Sequence, residues 1–533
     1  MSSNQSSGSY LIARALRDLG VTVLFGIVGI PVIDIAEQAI NLGIRFIGFR
    51  NEQAASYAAT AFAVRPPDSE AISSSIQNAY RSGFYGRPGP TFVDLPADLI
   101  ESKVQSIQHF QPARPVPHPP SAGADPARLF KITQLIKNAR APLVVVGKGA
   151  AYAQAELEIR ELIENTLLPF LPSPMGKGVL SDLHPLNAAS ARSAALKDAD
   201  VVLLLGARLN WIFHFGEAPK WNADAKFIQV DIAPEEIGRN SCNEELGIVG
   251  DLKAVVPRLL SSLSGWKYTA SSSAYIKSIK SKKRSNEQKA AEAAAKLSVP
   301  LSYSHAFDII KQTLHSLSSP AEGNVVYVSE GANTMDISRS IFPVEHPRLR
   351  LDAGTYATMG VGLGYAIAAH EAYNGPASEA QLLTKPGADG RKKVVAFEGD
   401  SAFGFSAMEI ETMARYQMDI LIFVINNGGV YHGDSDTAEE WLARQKASLG
   451  DAAHSDGADK LRSTSLGWEV GYEKIAEMCG GRGFLVRTDE ELERATREGF
   501  KARVPVVVNV VVESGKSNKL EFGWQASARK TKI

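Results

Sequence analysis

Two short runs hold the residues best suited to chemistry: Gly399-Asp400-Ser401 and, further along, Asn426-Asn427-Gly428-Gly429. A carboxylate, a side-chain amide oxygen and a backbone carbonyl are hard oxygen donors. Such a set suits Mg²⁺, which keeps part of its shell for phosphate oxygens. Ser401 and Ala402 follow as small residues opening a helix, whose free N–H groups can face a phosphate. Together the runs read as a site that clamps a diphosphate through a bivalent metal. Either run alone is also an ordinary turn, since Asn, Asp and Gly dominate turns. Their placement decides between the two.

Val395-Ala396-Phe397 reads as a buried strand ending at a glycine, residues 407–416 as a helix, and residues 420–425 as a second apolar strand. In a parallel sheet, two such strand ends bring Asp400 and Asn427 to one edge, where open α/β sheets bind ligands. The whole last segment, 301–515, repeats this pattern, with strands expected at 325–329, 393–397, 420–425 and 504–512 and a small-residue helix at 360–370. The middle segment, 127–266, offers strands at 143–147, 201–206 and 227–231 with helical patterns between them. The first, 9–111, alternates helices at 10–19, 32–42, 52–59 and 69–80 with only three strands, at 22–26, 45–49 and 90–95. The fold class is therefore α/β: three consecutive doubly wound parallel-sheet domains, the first truncated. Residues 112–126 read as a proline-rich extended connector, and 271–300 as a Lys- and Ala-rich, partly helical, solvated linker.

The chain has 533 residues, 44% of them hydrophobic and 22% charged, and a net charge of −1. That balance gives no reason to expect nucleic-acid or anionic-membrane partners. No apolar run is long enough for a transmembrane helix. The two cysteines, Cys242 and Cys479, suggest neither a disulfide framework nor a zinc site. The end of the chain, Thr531-Lys532-Ile533, has the small-basic-apolar shape of a peroxisomal address but departs from Ser-Lys-Leu, so a peroxisomal or a cytoplasmic location is expected.

The paired runs resemble the thiamine-diphosphate motif, Gly-Asp-Gly/Ser followed by Asn-Asn. The resemblance implies thiamine diphosphate and Mg²⁺ as cofactors, with Asp400, Asn427 and the Gly429 carbonyl as metal ligands and Gly399, Ser401 and Ala402 beside the diphosphate. It also implies a role for Glu52, which follows a strand and opens a helix within Arg50-Asn51-Glu52-Gln53-Ala54-Ala55. In that family a glutamate so placed hydrogen-bonds the pyrimidine N1′ and activates the cofactor. Met359, in Ala357-Thr358-Met359-Gly360, matches the bulky apolar residue beneath the cofactor; many relatives have Gly-Thr-Met-Gly there.

The likeness spans almost the whole chain and is strongest to 2-hydroxyacyl-CoA lyases, with oxalyl-CoA decarboxylases next. It is carried also by Gly147-Lys148-Gly149-Ala150-Ala151-Tyr152, Gly206-Ala207-Arg208-Leu209-Asn210-Trp211, Ser329-Glu330-Gly331-Ala332-Asn333 and Leu461-Arg462-Ser463-Thr464. It implies cleavage of a 2-hydroxyacyl-CoA to formyl-CoA and a shortened aldehyde; the alternatives are an oxalyl-CoA decarboxylase and a non-catalytic regulatory relative. A nicotinamide dehydrogenase is a weaker alternative, because Gly147-Lys148-Gly149 lacks the full dinucleotide fingerprint. In the middle domain the likeness implies a nucleotide or CoA pocket: Lys148 meeting a pyrophosphate, Arg208 clamping phosphate and Asp231 accepting a ribose hydroxyl. It implies a homodimer or homotetramer too, with Glu52 of one chain serving the diphosphate site of another. Family members carry a further stretch of about 60 residues between the Glu52 helix and the next one. Its loss here predicts weak cofactor binding and impaired turnover.

Overall fold

The computed structural model describes residues 6–29, 32–58, 63–64, 72–104, 112–269, 273–375, 391–449 and 459–516. The expected C-terminal address, the junction 65–71 and the start of the helix expected at 69 lie outside them.

The last domain is built on six parallel strands in the order Arg350–Asp352, Val325–Ser329, Lys393–Gly399, Leu421–Asn426, Val506–Val511, Arg482–Val486. The central strands are buried along nearly their whole length. Continuous runs such as Leu421-Ile422-Phe423-Val424-Ile425 are what a sheet covered on both faces requires. Phe307, Phe342, Phe397 and Phe423 stack through the core. Two edge strands escape sequence reading. Arg350–Asp352 is only three residues long, and Arg482–Val486 is largely uncovered and so lacks an apolar run.

The middle domain has five parallel strands in the order Gly247–Val249, Lys226–Asp231, Val201–Leu205, Pro142–Val146, Phe170–Pro172. The three expected strands are its centre, and the two that escaped are three-residue flanks. Residues 112–125 have no regular structure, and the second linker contains the helix Ala274–Ala294.

The first segment departs most from a doubly wound sheet. Among the described residues its strands form three separate pairs: Val23–Gly26 with Arg45–Gly48, Ala63–Val64 with Phe92–Val93, and Ser6–Ser7 with Lys103–Val104. The strand expected at 90–95 is two residues long, Phe92–Val93, and among the described residues it pairs only with Ala63–Val64. Val28, Val32, Ile33 and Ile40 are correspondingly exposed. Besides packing on its own strands, where Phe49 meets Phe25 edge-on, the Glu52 region rests on the last domain: Ile47, Phe49, Ala54 and Ala55 are part of that domain's core. The Gly48 N–H donates to the Tyr416 hydroxyl at 2.9 Å, and Arg415 donates to the Gly48 carbonyl at 2.7 Å. Arg45 pairs with the buried Glu371 at 2.8 Å. No helix among the described residues is long and apolar enough to cross a membrane.

Candidate functional site

Two neighbouring strand ends create the site. Lys393–Gly399 and Leu421–Asn426 pair in parallel, with Gly399 opposite Ile425, so Asp400 and Asn427 emerge side by side. Asp400 is buried. Ser401 N–H donates to its Oδ1 and Gly428 N–H to its Oδ2, both at 2.8 Å. Burial pushes this carboxyl up to about 6, although the amides of Ser401, Gly428, Asn427 and Gly429 all pull it down. A charge held out of water with only partial compensation invites a cation.

Asn427 is buried too. Its Nδ2 donates to the Tyr303 hydroxyl and the Tyr431 carbonyl, both at 2.9 Å, which leaves Oδ1 to accept the Gly429 N–H at 3.1 Å. An amide oxygen accepting one hydrogen bond keeps a lone pair for a metal. Gly429 lies in an antiparallel bridge to Ser465, whose hydrogen bonds are made by Val430 and Gly428 on either side. The Gly429 N–H faces Asn427 and Asp400. Among the described residues no group of three or more His, Cys, Asp or Glu side chains could hold a metal. One carboxylate, one carboxamide and one backbone carbonyl, of Asp400, Asn427 and Gly429, are the candidate donors here. The helix expected to begin at Ser401 is a single turn, Asp400–Phe403, and its Ser401 N–H is already taken by Asp400. It offers fewer free donors than its sequence suggested.

Glu52 opens the helix Glu52–Ala58. Asn51 Oδ1 caps that helix, accepting the N–H groups of Gln53 at 2.8 Å and Ala54 at 3.2 Å. The buried Glu409 accepts the Arg50 N–H at 3.1 Å. Sequence reasoning missed Glu409, which opens the helix Glu409–Arg415 and belongs to no motif. The Glu52 side chain is exposed and makes no described contact with Asp400 or Asn427. One chain thus brings the metal-ligand candidates together and leaves Glu52 pointing outward.

Met359 is half-buried on the loop that follows Arg350–Asp352. Ala357 on this loop is left-handed, with φ of 50°, a conformation that costs an L-residue roughly 1–2 kcal/mol. The glycine of many relatives at this position has that physical reason. Ala357→Gly is expected to raise stability by about 1 kcal/mol, read as a higher urea midpoint; an unchanged or lower midpoint would count against the strain.

Next to Asp400 lies a pair of buried acids that composition and spacing did not single out. Ser329 and Phe397 are register partners, so Glu330 and Glu398 follow at adjacent positions, both without solvent exposure. Glu330 accepts the N–H groups of Gly360 and Gly362. Neither oxygen of Glu398 has a hydrogen-bond partner. Burial pushes Glu330 up to about 7, and burial with the Glu330 charge pushes Glu398 well above the ordinary carboxyl range. Acids raised in the folded state bind more protons folded than unfolded above their ordinary value near 4.5. Stability is therefore expected to fall as pH rises from about 5 through 7, by up to about 1.4 kcal/mol per pH unit for each group. Glu398→Gln should make that fall shallower in urea titrations at several pH values. An identical slope would show that Glu398 does not hold its proton.

In the middle domain the strand order places Lys148, Arg208 and Asp231 on one edge, after Pro142–Val146, Val201–Leu205 and at the end of Lys226–Asp231. Backbones meet closely there: a Cβ at Gly147 would stand 2.0 Å from the Gly206 carbonyl oxygen. Burial lowers the Lys148 pKa, and the charges of Arg208 and Arg87 lower it further. Burial raises Asp231. Two residues were missed. Glu236 is buried and pairs with Arg208 at 3.5 Å and with Arg87 at 2.5 Å. Arg87 arrives from the first segment, inside Gly86-Arg87-Pro88-Gly89-Pro90, where a lone cation in a turn-rich run was the available signal. Arg208 is thus already engaged by a carboxylate, and a phosphate would have to share it with Glu236.

Comparison with known proteins gives three family matches: the thiamine pyrophosphate enzyme N-terminal TPP binding domain over residues 6–66, the central domain over 129–259, and the C-terminal TPP binding domain over 330–510. The chain is 38% identical to 2-hydroxyacyl-CoA lyase 1 of Homo sapiens, over 98% of this chain and 97% of that protein. It is 37% identical to 2-hydroxyacyl-CoA lyase of Arabidopsis thaliana, over 95% of each. It is 33% identical to oxalyl-CoA decarboxylase of Escherichia coli (strain K12), over 97% of each. The first of these alignments runs over 597 positions, more than the 533 residues of the chain, so the relative carries residues without a counterpart here.

Proposed function

We propose, since the chain belongs to the thiamine pyrophosphate enzymes, that it is a carbon–carbon lyase cleaving 2-hydroxyacyl-CoA to formyl-CoA and an aldehyde one carbon shorter. The observation that carries the site assignment is the convergence of Asp400, Asn427 and Gly429 at two adjacent strand ends. Asp400 Oδ, Asn427 Oδ1 and the Gly429 carbonyl would hold Mg²⁺, and the metal with the backbone around Ser401 and Ala402 would receive the diphosphate. Bound there, thiamine diphosphate would supply a nucleophilic carbon and an electron sink for breaking the C1–C2 bond of the substrate. Glu52 would hold a proton at the pyrimidine ring nitrogen. Met359 would support the cofactor from the loop 354–362, and closure by apolar side chains would exclude water. Lys148, Arg208 and Asp231 would anchor the nucleotide end of an acyl-CoA.

Because Glu52 faces outward, this reading requires a second chain: a homodimer or homotetramer in which Glu52 of one chain serves the Asp400 site of another. A peroxisomal or cytoplasmic location belongs to the same reading. Oxalyl-CoA decarboxylation stays as the alternative, favoured by the 33% identity to such an enzyme. The fragmentary first sheet favours reduced activity in this form. The deciding experiment supplies 2-hydroxyacyl-CoA and oxalyl-CoA with Mg²⁺ and thiamine diphosphate. Aldehyde with formyl-CoA supports the lyase. CO₂ with formyl-CoA supports the decarboxylase. Neither product, with cofactor bound, supports a regulatory role.

A further inference from the structure

The loop that carries Met359 is pinned at both ends by carboxylates. At its start the Gly354 N–H donates to Asp352 Oδ1 at 3.2 Å, and Asp352 is in turn held by Arg339 at 3.0 and 3.2 Å. At its end one carboxylate, Glu330, accepts both the Gly360 and the Gly362 N–H groups. These amides lie at the first turn of the thirteen-residue helix Gly362–Asn374, where a negative charge is favoured. The contact is tight from the other side as well, since a Cβ at Gly362 would stand 1.9 Å from Glu398 Oε1. Between the two anchors Tyr356 is exposed and Ala357 is left-handed. The loop's ends are packed, Ala353 and Val361 being buried with Met335, and the carboxylate anchors add the hydrogen bonds that fix the course of the backbone between them. Amide donors on an ionised acceptor form the stronger class of hydrogen bond.

We propose that Glu330 is a positioning residue for the cofactor: by accepting the Gly360 and Gly362 amides it fixes the loop 354–362 and so sets where Met359 meets the bound cofactor. The proposal rests on the reading of this chain as a thiamine-diphosphate enzyme with Met359 at its cofactor. Glu330 touches no reacting group and acts through the loop alone. Glutamine in its place keeps the shape but accepts with one oxygen only, so one of the two amides loses its partner.

The test uses the full-length chain labelled with methyl-¹³C methionine, with the Met359 signal assigned by Met359→Leu, and compares the wild type with Glu330→Gln. In the wild type, saturating Mg²⁺–thiamine diphosphate should shift the Met359 signal, and Mg²⁺–pyrophosphate should not. In Glu330→Gln, amide exchange over 354–362 should quicken by about tenfold or more while the strands Lys393–Gly399 and Leu421–Asn426 stay protected. The cofactor-induced shift of Met359 should disappear, and Mg²⁺–pyrophosphate affinity should stay unchanged. The proposal is overturned if the loop stays protected in the variant, or if it loosens while the Met359 shift persists. Loss of pyrophosphate binding together with core protection would also overturn it, by making Glu330 a support of the fold alone. A wild-type Met359 that ignores the cofactor while pyrophosphate binds sinks the positioning role but not the diphosphate site. If the wild type binds neither ligand, the proposed function itself fails and the positioning role with it. Should Glu330→Gln not fold, Glu330→Asp, which keeps the charge but is too short to reach both amides, takes the same measurements.

Discussion

Asp400→Asn should weaken Mg²⁺-dependent binding of thiamine diphosphate, and of inorganic pyrophosphate, by at least about 100-fold, because it removes the one charged ligand from the set, whereas losing a mere outer partner of a metal site costs roughly 10–100-fold. Asparagine matches the carboxylate in shape, but its amide nitrogen would oppose the N–H of Ser401 or Gly428. An unpaired buried amide costs about 1–3 kcal/mol, so the variant should still fold and its melting curve serves as the control. Because burial holds the Asp400 carboxyl up at about 6, metal binding below that pH must expel a proton. Apparent Mg²⁺ affinity in the wild type should therefore drop by about tenfold per pH unit below 6, and Asp400→Asn should abolish this dependence. Isothermal titration at several pH values reads both effects. Unaltered pyrophosphate binding in the variant would remove Asp400 from the metal site.

The second large effect concerns the first domain. Its described strands form pairs only, and an isolated two-stranded unit is marginal in water, where three or more strands are needed for stability. Val28, Ile33 and Ile40 are exposed on this domain in the single chain. The chain as it stands is expected to bind Mg²⁺–thiamine diphosphate weakly, with a Kd above about 100 μM, and to turn over poorly. Inserting the corresponding stretch of a relative at the junction 65–69 should lower the Kd to the micromolar range, a gain of about 2.7 kcal/mol, and restore formyl-CoA release. Micromolar binding with turnover by the unmodified chain would refute the expectation. So would an insertion that folds, completes the sheet and leaves the affinity unchanged.

Where the sequence was readable, the cause was periodicity and punctuation. Central strands such as Lys393–Gly399 and Leu421–Asn426 are buried on both faces, so they must be largely apolar runs, and they end at the Gly and Asn residues that turn the chain. That alone brought Asp400 and Asn427 to one edge. Edge strands such as Arg482–Val486 face water and carry no such run. Buried acids were the harder case. Glu330, Glu398 and Glu409 look like solvated charges in a linear chain, and only the fold shows that backbone amides of distant segments converge on two of them. The Glu236 pairing with Arg87 was unreadable for the same reason: its partners come from separate domains.

The berth of the Glu52 helix has one more consequence. Gly48, Arg50, Ala54 and Ala55 are tied to Tyr416, Glu409 and the core of the last domain, so Glu52, the proposed activator, belongs mechanically to a body encoded hundreds of residues away. Excising the middle of the first domain robs that glutamate of its neighbours in the sheet without casting it adrift. A chain shortened there can still present that side chain from a well-packed berth, ready for any remedy that rebuilds the pocket around it.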